Sequence, residues 1–194
     1  MLLRRTDMKK VLLINGSSHE KRDTRQALEI VEKELNAAGV ETEWFWIGNG
    51  PVRGCMDCEM CEGKARCVFD DDVVNPLIDA ICAADGVVIG TPVYFCAPNG
   101  ALMTVLNRVF YAGSEHGRLF EGKLGASVAT MWRSGGNSAL AALDKYFMIS
   151  GMPVVPNKYW NMYFSPRSDL GEDEFGKENL QNLGRNMAEM LLKK

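Results

Sequence analysis

Short apolar runs alternate along the chain with longer stretches in which apolar residues recur every three or four positions. The runs VLLI at 11–14 and GVVIG at 86–90 are bounded by charged or turn-forming residues, which is typical of buried strands. The segments 40–48 and 124–131 predict two further strands. MPVVP at 152–156 predicts a fifth strand.

Helical spacing of the apolar positions predicts five helices, and Gly39 supplies a stop for the first of them. The second is predicted to begin at the acidic run 70–72, because acidic groups favour the positive N-terminal end of the helix dipole. Cys82 falls on the apolar face of this helix and is predicted to be a core residue. The predicted helices cover residues 24–38, 70–85, 100–113, 137–151 and 177–194.

Strands that alternate with helices predict a parallel sheet covered on both faces, with right-handed crossovers. Five strands suit the doubly wound order of flavodoxin-like folds. We therefore predict an α/β protein, with a flavodoxin-like, doubly wound, five-stranded parallel sheet in three layers, α/β/α. The 194 residues suit a single domain, which we place at 8–194. Residues 1–7 are predicted to be an N-terminal extension, because Met8 is an equally good first residue.

Charge and hydropathy narrow the environment of the protein. The formal net charge is −3 and no dense Lys/Arg run occurs, so nucleic acid is not expected as a partner. No apolar run approaches the roughly 18 residues of a membrane span, so no membrane association is expected. The N-terminus lacks the apolar region of a secretory signal. We expect a cytoplasmic protein.

Ligands of open α/β sheets bind beyond the carboxyl ends of the strands, so the loops at those ends are the candidate site. The first loop, GSSHEKRDT, precedes a helix and carries the hydroxyls of Ser17, Ser18 and Thr24, which favours a phosphate. It matches neither the Walker pattern nor G-x-G-x-x-G, so a mononucleotide fits better than ATP or a Rossmann-type dinucleotide. A polar turn, with Asp23 or Thr24 as the helix cap, is the alternative.

Two further loops offer a surface for a planar ring. TPVYFCAPNG presents the flat side chains of Tyr94 and Phe95 between two prolines. In MWRSGGNS, a Gly-Gly pair permits close approach of the backbone to a ligand, and Trp132 and Arg133 flank it. Each loop taken alone also fits an ordinary turn that packs on the core. Three such loops at one edge of the sheet favour a shared site.

Four of the six cysteines fall in GCMDCEMCEGKARC, residues 54–67, inside a long insert at about 47–69. Stable disulfides are rare in a reducing cytoplasm. Zinc fits the spacing poorly, and the chain offers only two histidines, His19 and His116. A [4Fe–4S] cluster fits best, because a compact C-x2-C-x2-C loop can supply three corners of a cube and a later cysteine the fourth. Unoccupied thiols remain the alternative. The predicted ligands are Cys55, Cys58, Cys61 and Cys67.

These motifs give the chain, from about Met8 to its C-terminus, a family likeness. It resembles the NAD(P)H-dependent FMN reductase family of the flavodoxin-like superfamily, and within it the iron–sulfur flavoprotein branch. GSSHEKRDT (16–24) is similar to the family pattern G-S-p-R-x-x-g-N-T, and PVYFCAPNGALMTVLNR (92–108) to P-V-Y-F-G-x-x-S-G-x-L-K-x-F-x-D-R. The compact cysteine motif is similar to that of the iron–sulfur flavoproteins.

The departures from the family patterns carry their own expectations. Asp23 stands where the family often has Asn, and an acid is unhelpful beside a phosphate, so we expect it to face the helix start. Cys96 replaces a frequent Gly and is expected to be a small buried thiol. His19, Met103 and Asn107 replace a frequent Arg, Lys and Asp.

The resemblance implies where FMN binds. The phosphate would lie on Ser17, Ser18 and Thr24, and the two glycines of the third loop would close the far side of the ring, with Arg133 flanking it. No side chain is expected to act as an essential acid or base. The residues implied for the isoalloxazine ring are Pro92, Val93, Tyr94, Phe95, Asn99, Gly135 and Gly136.

The resemblance also implies a function, an FMN-binding electron-transfer oxidoreductase with a [4Fe–4S] cluster. It would link NAD(P)H or a ferredoxin-like donor to a small-molecule or protein acceptor, and the family places the flavin near a subunit interface, so a homodimer or homotetramer is expected. A plain NAD(P)H-dependent FMN or quinone reductase without a cluster is the first alternative. A cysteine-based redox- or metal-sensing module is the second.

Overall fold

A computed structural model describes residues 8–115 and 118–193 of the chain. The predicted extension at 1–7 and one of the two histidines, His116, lie outside the described residues. Within the described part, no helix combines the length and the apolar character needed to cross a membrane.

Five parallel strands form the sheet in the order β2-β1-β3-β5-β6. This order is that of the flavodoxin-like doubly wound fold, so the predicted fold class is confirmed. A short sixth strand pairs antiparallel with the end of β3 and makes a hairpin there. The strands are β1 Lys10–Asn15, β2 Glu41–Trp46, β3 Gly86–Tyr94, β4 Ala97–Pro98, β5 Leu124–Met131 and β6 Met162–Phe164.

Helices cover both faces of the sheet. The first and last pack together on one face, and the other three lie on the opposite face. Strands β1, β3 and β5 are buried almost throughout, because both of their faces are covered, which explains their continuously apolar sequences. The helices are α1 Asp23–Ala37, α2 Val74–Ala83, α3 Gly100–Phe110, α4 Gly136–Ile149 and α5 Glu174–Leu192, and a π-helical turn at Tyr111–Glu115 extends α3.

The predicted fifth strand is wrong in position. Within 152–156 the pairing with the sheet is limited to an isolated bridge between Val154 and Gly125, made by hydrogen bonds of Gly125 with Pro153 and Val155. The strand β6 supplies the fifth strand instead. Prolines stand on both sides of the Val154–Val155 pair and lack the N–H that a ladder needs. The chain therefore leaves the sheet edge and returns at Asn161, whose carbonyl accepts a hydrogen bond from the amide of Ala129.

Two predictions about the second helix are also wrong. It begins at Val74 rather than at the acidic run, because Asp72 turns inward to pair with the buried guanidinium of Arg108. Asp72 also accepts a hydrogen bond from the amide of Val74 at 3.0 Å, so it stands just before the helix. Cys82 is exposed rather than in the core, since Ile81 takes the buried position beside it.

Candidate functional site

A cavity of about 250 Å³ opens at the carboxyl ends of β1, β3 and β5, and we call it the rim cavity. Five residues predicted to bind FMN line it, namely Ser17, Thr24, Pro92, Val93 and Tyr94. Six others lie outside its wall, namely Ser18, Phe95, Asn99, Arg133, Gly135 and Gly136. The remaining wall comes from His19, Arg22, Asp23, Thr130, Met131, Trp132, Ser165 and Arg167.

Asn15, the last residue of β1, folds the first loop. Its Oδ1 accepts a hydrogen bond from the amide of Ser17 at 3.0 Å, and its Nδ2 donates to the carbonyl of Glu20 at 2.9 Å. Trp46 donates from Nε1 to the carbonyl of Ser17 at 2.7 Å, and Ser17 Oγ accepts from the amide of His19. These hydrogen bonds from buried or partly buried groups fix the conformation of the loop. The loop leads into the start of α1, where an anion is favoured.

Thr24 ties the first helix to the sheet. Its hydroxyl and that of Thr130 lie 2.9 Å apart, and Thr130 Oγ1 donates to the carbonyl of Thr91 at 3.3 Å. A Cβ at Gly90 would come within 2.9 Å of Thr24 Cγ2, so α1 approaches β3 closely only because that position is glycine. The start of α1 is thus fixed against the strands whose ends form the rim.

Asp23 lines the rim cavity, but the positive charge of Arg167 balances its negative charge there. It is the first residue of α1, and its carboxylate accepts hydrogen bonds from Ser165 and from Arg167, whose Nη2 is 2.9 Å away. Burial opposes ionisation of Asp23, but the hydrogen bonds from Arg167 and Ser165 outweigh it and lower its pKa. Arg22 also lines the cavity, with Nη1 3.1 Å from His19 Nε2. Two guanidiniums against one carboxylate favour an anionic ligand.

Ser165 and Arg167 were missed by sequence reasoning. Both follow β6, and the sequence placed the fifth strand ten residues earlier, so the loop at its carboxyl end was not among the predicted site loops. The signal that could have found them is the short segment NMYFS at 161–165, which is followed by a proline and then by Arg167.

The hairpin after β3 has a strained tip. Phe95 and Cys96 both adopt left-handed backbone conformations, with φ of +50° and +61°, which non-glycine residues rarely do. The ring of Phe95 is fully exposed and that of Tyr94 is half exposed. Cys96 is exposed too, so the expectation of a buried thiol is wrong, because the hairpin lifts this residue away from the core.

Gly135 joins the third loop to this hairpin. It caps the start of α4 with φ of +86°, and a Cβ there would lie 2.7 Å from the Cα of Cys96. A Cβ at Gly136 would lie 2.4 Å from Met131 Cε. Gly135 therefore permits the hairpin and the third loop to pack against each other, and Gly136 permits the start of α4 to pack against Met131 at the end of β5.

Asn99 links the first two loops. Its Oδ1 caps α3 by accepting from the amide of Ala101, and its Nδ2 donates to the carbonyl of Gly16 at 2.8 Å. Its own amide donates to Thr91 Oγ1 at 3.0 Å. Asn99 is buried, and these bonds set the position of the first loop relative to the hairpin.

The four predicted cluster ligands line a second, smaller cavity of about 20 Å³, which we call the cysteine cavity. Cys61 is buried, Cys67 is half buried, and Cys55 and Cys58 are exposed. Burial raises the pKa of the Cys61 thiol. Across 8–115 and 118–193, no three Cys, His, Asp or Glu side chains are grouped as a metal site in this conformation.

The loop that carries these cysteines is tightly wound. Asp57, Glu59, Gly63 and Ala65 all have positive φ, so the chain reverses repeatedly between residues 54 and 67. Tyr111 donates a hydrogen bond to Asp57 at 3.1 Å, and this bond raises the pKa of Tyr111 to about 12. Four cysteines that line one cavity are the donor set of an iron–sulfur cluster, so the types of residue present fit that group.

The inner end of the loop is anchored through the backbone of Cys67. Asn75, buried at the start of α2, accepts from the amide of Cys67 and donates to its carbonyl, both at 2.9 Å. Together the two bonds satisfy both backbone groups of Cys67, as a neighbouring strand would. Cys67 is thus held whether or not its thiol has a ligand.

Arg108 anchors the same residue through its sulfur. It is 2% exposed, and its Nε and Nη2 donate to Cys67 Sγ at 3.4 and 3.3 Å. The other donors reach the carbonyls of Arg53 and Phe69, both at 3.1 Å, and the carboxylate of Asp72. Burial alone would lower the pKa of Arg108, but the hydrogen bonds to Asp72 and Cys67 outweigh it and raise that pKa.

The two cavities lie at opposite ends of α3. Asn99 caps the end nearest the rim, whereas Arg108 lies in the last turn beside the cysteine cavity. The 11 residues of α3 span about 16 Å at 1.5 Å per residue. The sequence predicted the cysteines on the same rim as the flavin loops, and this is wrong: contacts of the insert with Arg108 and Tyr111 place the cysteine cavity at the far end of α3.

Comparison with known proteins places this geometry among flavoproteins. The profile of the family described as NADPH-dependent FMN reductase matches residues 9–166. An iron-sulfur flavoprotein of Methanocaldococcus jannaschii is 29% identical over 194 residues, covering 94% of this chain and 97% of its own. One from Archaeoglobus fulgidus is 30% identical over 147 residues, covering 76% and 71%. A crystal structure of an oxidoreductase from Corynebacterium diphtheriae superposes with a TM-score of 0.69 at 16% identity, covering 97% and 100%, and shows the shared fold.

Proposed function

Because the chain belongs to the NADPH-dependent FMN reductase family and is an NAD(P)H-dependent, FMN-binding oxidoreductase, we propose that it also carries a [4Fe–4S] cluster and transfers single electrons. One observation carries the proposal: all four cysteines of a C-x2-C-x2-C-x5-C motif line one cavity. The names of the relatives, iron-sulfur flavoproteins, support it.

We assign the phosphate of FMN to the first loop. Ser17 and Thr24 supply hydroxyls, and the start of α1, where an anion is favoured, lines the same cavity. Arg22 and Arg167 add positive charge, while Asp23 is already paired with Arg167. Ser18 belongs to the same loop, and its hydroxyl lies 3.5 Å from the Nδ2 of Asn99.

We assign the isoalloxazine ring to the hairpin side of the rim. Tyr94 and Trp132 offer flat surfaces in the cavity wall, and both are about half exposed, so a ring can cover them. The packing of Gly135 against Cys96 joins the hairpin to the third loop, so both would contact one ring. The rest of the proposed ring site is Pro92, Val93, Phe95, Asn99, Arg133 and Gly136.

The cofactors supply the redox chemistry: FMN accepts a hydride or releases single electrons, and a cluster passes one electron at a time. The chain's own residues would bind and orient the cofactors and shield them from water. NAD(P)H or a ferredoxin-like protein is the proposed donor, and a small molecule or a protein the acceptor. We propose that this occurs in the cytoplasm and in a homodimer or homotetramer, in which exposed Met56 and Met60 beside the cysteines would meet a neighbouring subunit.

Titration of the flavin-free protein with FMN and with riboflavin tests the phosphate assignment. Riboflavin has the same ring without the phosphate, so we expect it to bind at least about tenfold more weakly, or about 1.4 kcal/mol. Arg22→Gln should narrow the difference in affinity between FMN and riboflavin, because the lost charge would act on the phosphate that riboflavin lacks. Equal binding of the two flavins would contradict the assignment. The alternative function, a reductase without a cluster, is favoured by one finding: no three Cys, His, Asp or Glu side chains of the described residues are grouped as a metal site.

A further inference from the structure

We propose that Arg108 sets the reduction potential of the cluster through its hydrogen bonds to Cys67, with Asp72 partly cancelling its charge. This inference rests on the proposed function, because it concerns the cluster that the four cysteines would hold. It assigns Arg108 as a positioning residue, since the guanidinium acts through the sulfur of Cys67 and not on a substrate.

The geometry singles out this arginine. Its two donors to Cys67 Sγ, at 3.3 and 3.4 Å, come from a side chain that is 2% exposed, so water does not screen the contact as it would at the surface. Arg108 lies on α3, whereas the cysteines lie on the insert, so the positive charge comes from an element outside the cysteine motif. The other anchor of Cys67, Asn75, holds only its backbone and carries no charge.

The expected effect on potential follows from charge. One-electron reduction adds a negative charge to a cluster, and a hydrogen-bonded cation beside a ligand sulfur favours the reduced form. Arg108 therefore raises the potential. Asp72 accepts from the same guanidinium and is nearly buried, so its negative charge works against that rise. Removing the charge of Arg108 should therefore lower the reduction potential of the cluster, and removing the charge of Asp72 should raise it.

Redox titration of the cluster in protein loaded with iron and sulfide without oxygen tests the proposal, with dithionite as the electron source. Arg108→Gln should reduce the equilibrium constant for one-electron reduction about tenfold, which is a fall of about 59 mV. Asp72→Asn keeps the shape and the hydrogen-bonding oxygen at the start of α2, and it should shift the potential upward.

Two controls separate charge tuning from a general structural effect. Arg66 is next to Cys67 in sequence, but its side chain is exposed and pairs with Asp79, so Arg66→Gln should shift the potential much less. The potential of bound FMN, measured in the same samples, should not move in any variant, because the rim lies at the other end of α3. If Arg108→Gln fails to fold, the upward shift expected for Asp72→Asn still tests the sign, and Arg108→Lys, which keeps the charge, should leave the potential closer to that of the unaltered protein.

The outcomes are distinguishable. Opposite shifts in the Arg108 and Asp72 variants support the role of Arg108. Shifts of the same sign, or no shift in a protein that retains its cluster, would overturn that role and leave the proposed function standing. Absence of iron from the unaltered protein would instead overturn the proposed function.

Discussion

The rim and the cysteine loop are built in opposite ways. The rim is held by buried polar side chains, Asn15, Thr24 and Asn99, each of which hydrogen-bonds to a second element or loop segment. The cysteine loop has its buried anchors, Arg108 and Asn75, at the Cys67 end, whereas its hydrogen bond from Tyr111 to Asp57 and two of its thiols are exposed. A preformed site needs little reorganisation to bind its ligand, whereas a loop of thiols reaches its final form with its metal.

The largest effect should come from Cys61→Ser. Cys61 is the buried member of the four, so its loss removes an inner ligand, and we expect essentially complete loss of iron and sulfide. FMN content should be unchanged, because the rim is independent of the loop. Cys82→Ser is the matched control, an exposed cysteine outside the motif, and should keep both. Loss of FMN along with iron would show that the two regions are coupled.

Stability should be most sensitive at Arg108. Arg108→Gln leaves Asp72 nearly buried without its partner, which typically costs about 3–5 kcal/mol. Urea unfolding of the metal-free protein measures this cost. The control, Arg66→Gln, breaks an exposed pair and should cost less than about 1 kcal/mol. Equal costs for the two variants would mean that Arg108 does not anchor the loop.

On the rim, Gly135→Ala should weaken FMN binding. The residue has φ of +86°, and its new Cβ would meet the Cα of Cys96 at 2.7 Å, so the strain is about 1–3 kcal/mol. We expect FMN affinity to fall about tenfold, measured by quenching of flavin fluorescence. Gly50→Ala is the control, since a Cβ there would meet no atom of the described residues within 4 Å. Unchanged affinity would exclude the third loop from the ring site.

The smallest expected effect is on the free energy of unfolding at acidic pH. The pKa of Asp23 is lowered from 3.8 in the folded protein, so its contribution to stability is full above about pH 4 and is lost as pH falls through the folded value. The ion pair with Arg167 is partly exposed, so the loss is about 0.5–1 kcal/mol. Asp23→Asn should flatten this part of the curve of unfolding free energy against pH. An unchanged curve would mean that the contact with Arg167 does not lower the pKa of Asp23.

Much of the fold could be predicted because β1, β3 and β5 are buried on both faces and their sequences are continuously apolar. The fifth strand could not, since two prolines interrupt a segment that is otherwise apolar enough. For the same reason the sequence missed Ser165 and Arg167, which follow the true strand.

The candidate site was likewise predicted in part: its loops were predicted and the role of Arg108 was not. The loops at the strand ends were found because topology fixes where they meet. Arg108 was not, because an arginine on an amphipathic helix resembles an exposed cation, and its burial depends on the path of the insert. That path depends on long-range contacts such as those of Arg108 with Arg53 and Phe69, which spacing does not encode.

The most direct measurement is the content of protein purified without oxygen. We expect about one FMN and about four iron atoms with matching sulfide per chain, and absorbance beyond that of the flavin that bleaches with dithionite. FMN with no iron or sulfide, in protein kept without oxygen throughout, would contradict the assignment of the cysteine cavity and leave a flavin reductase alone.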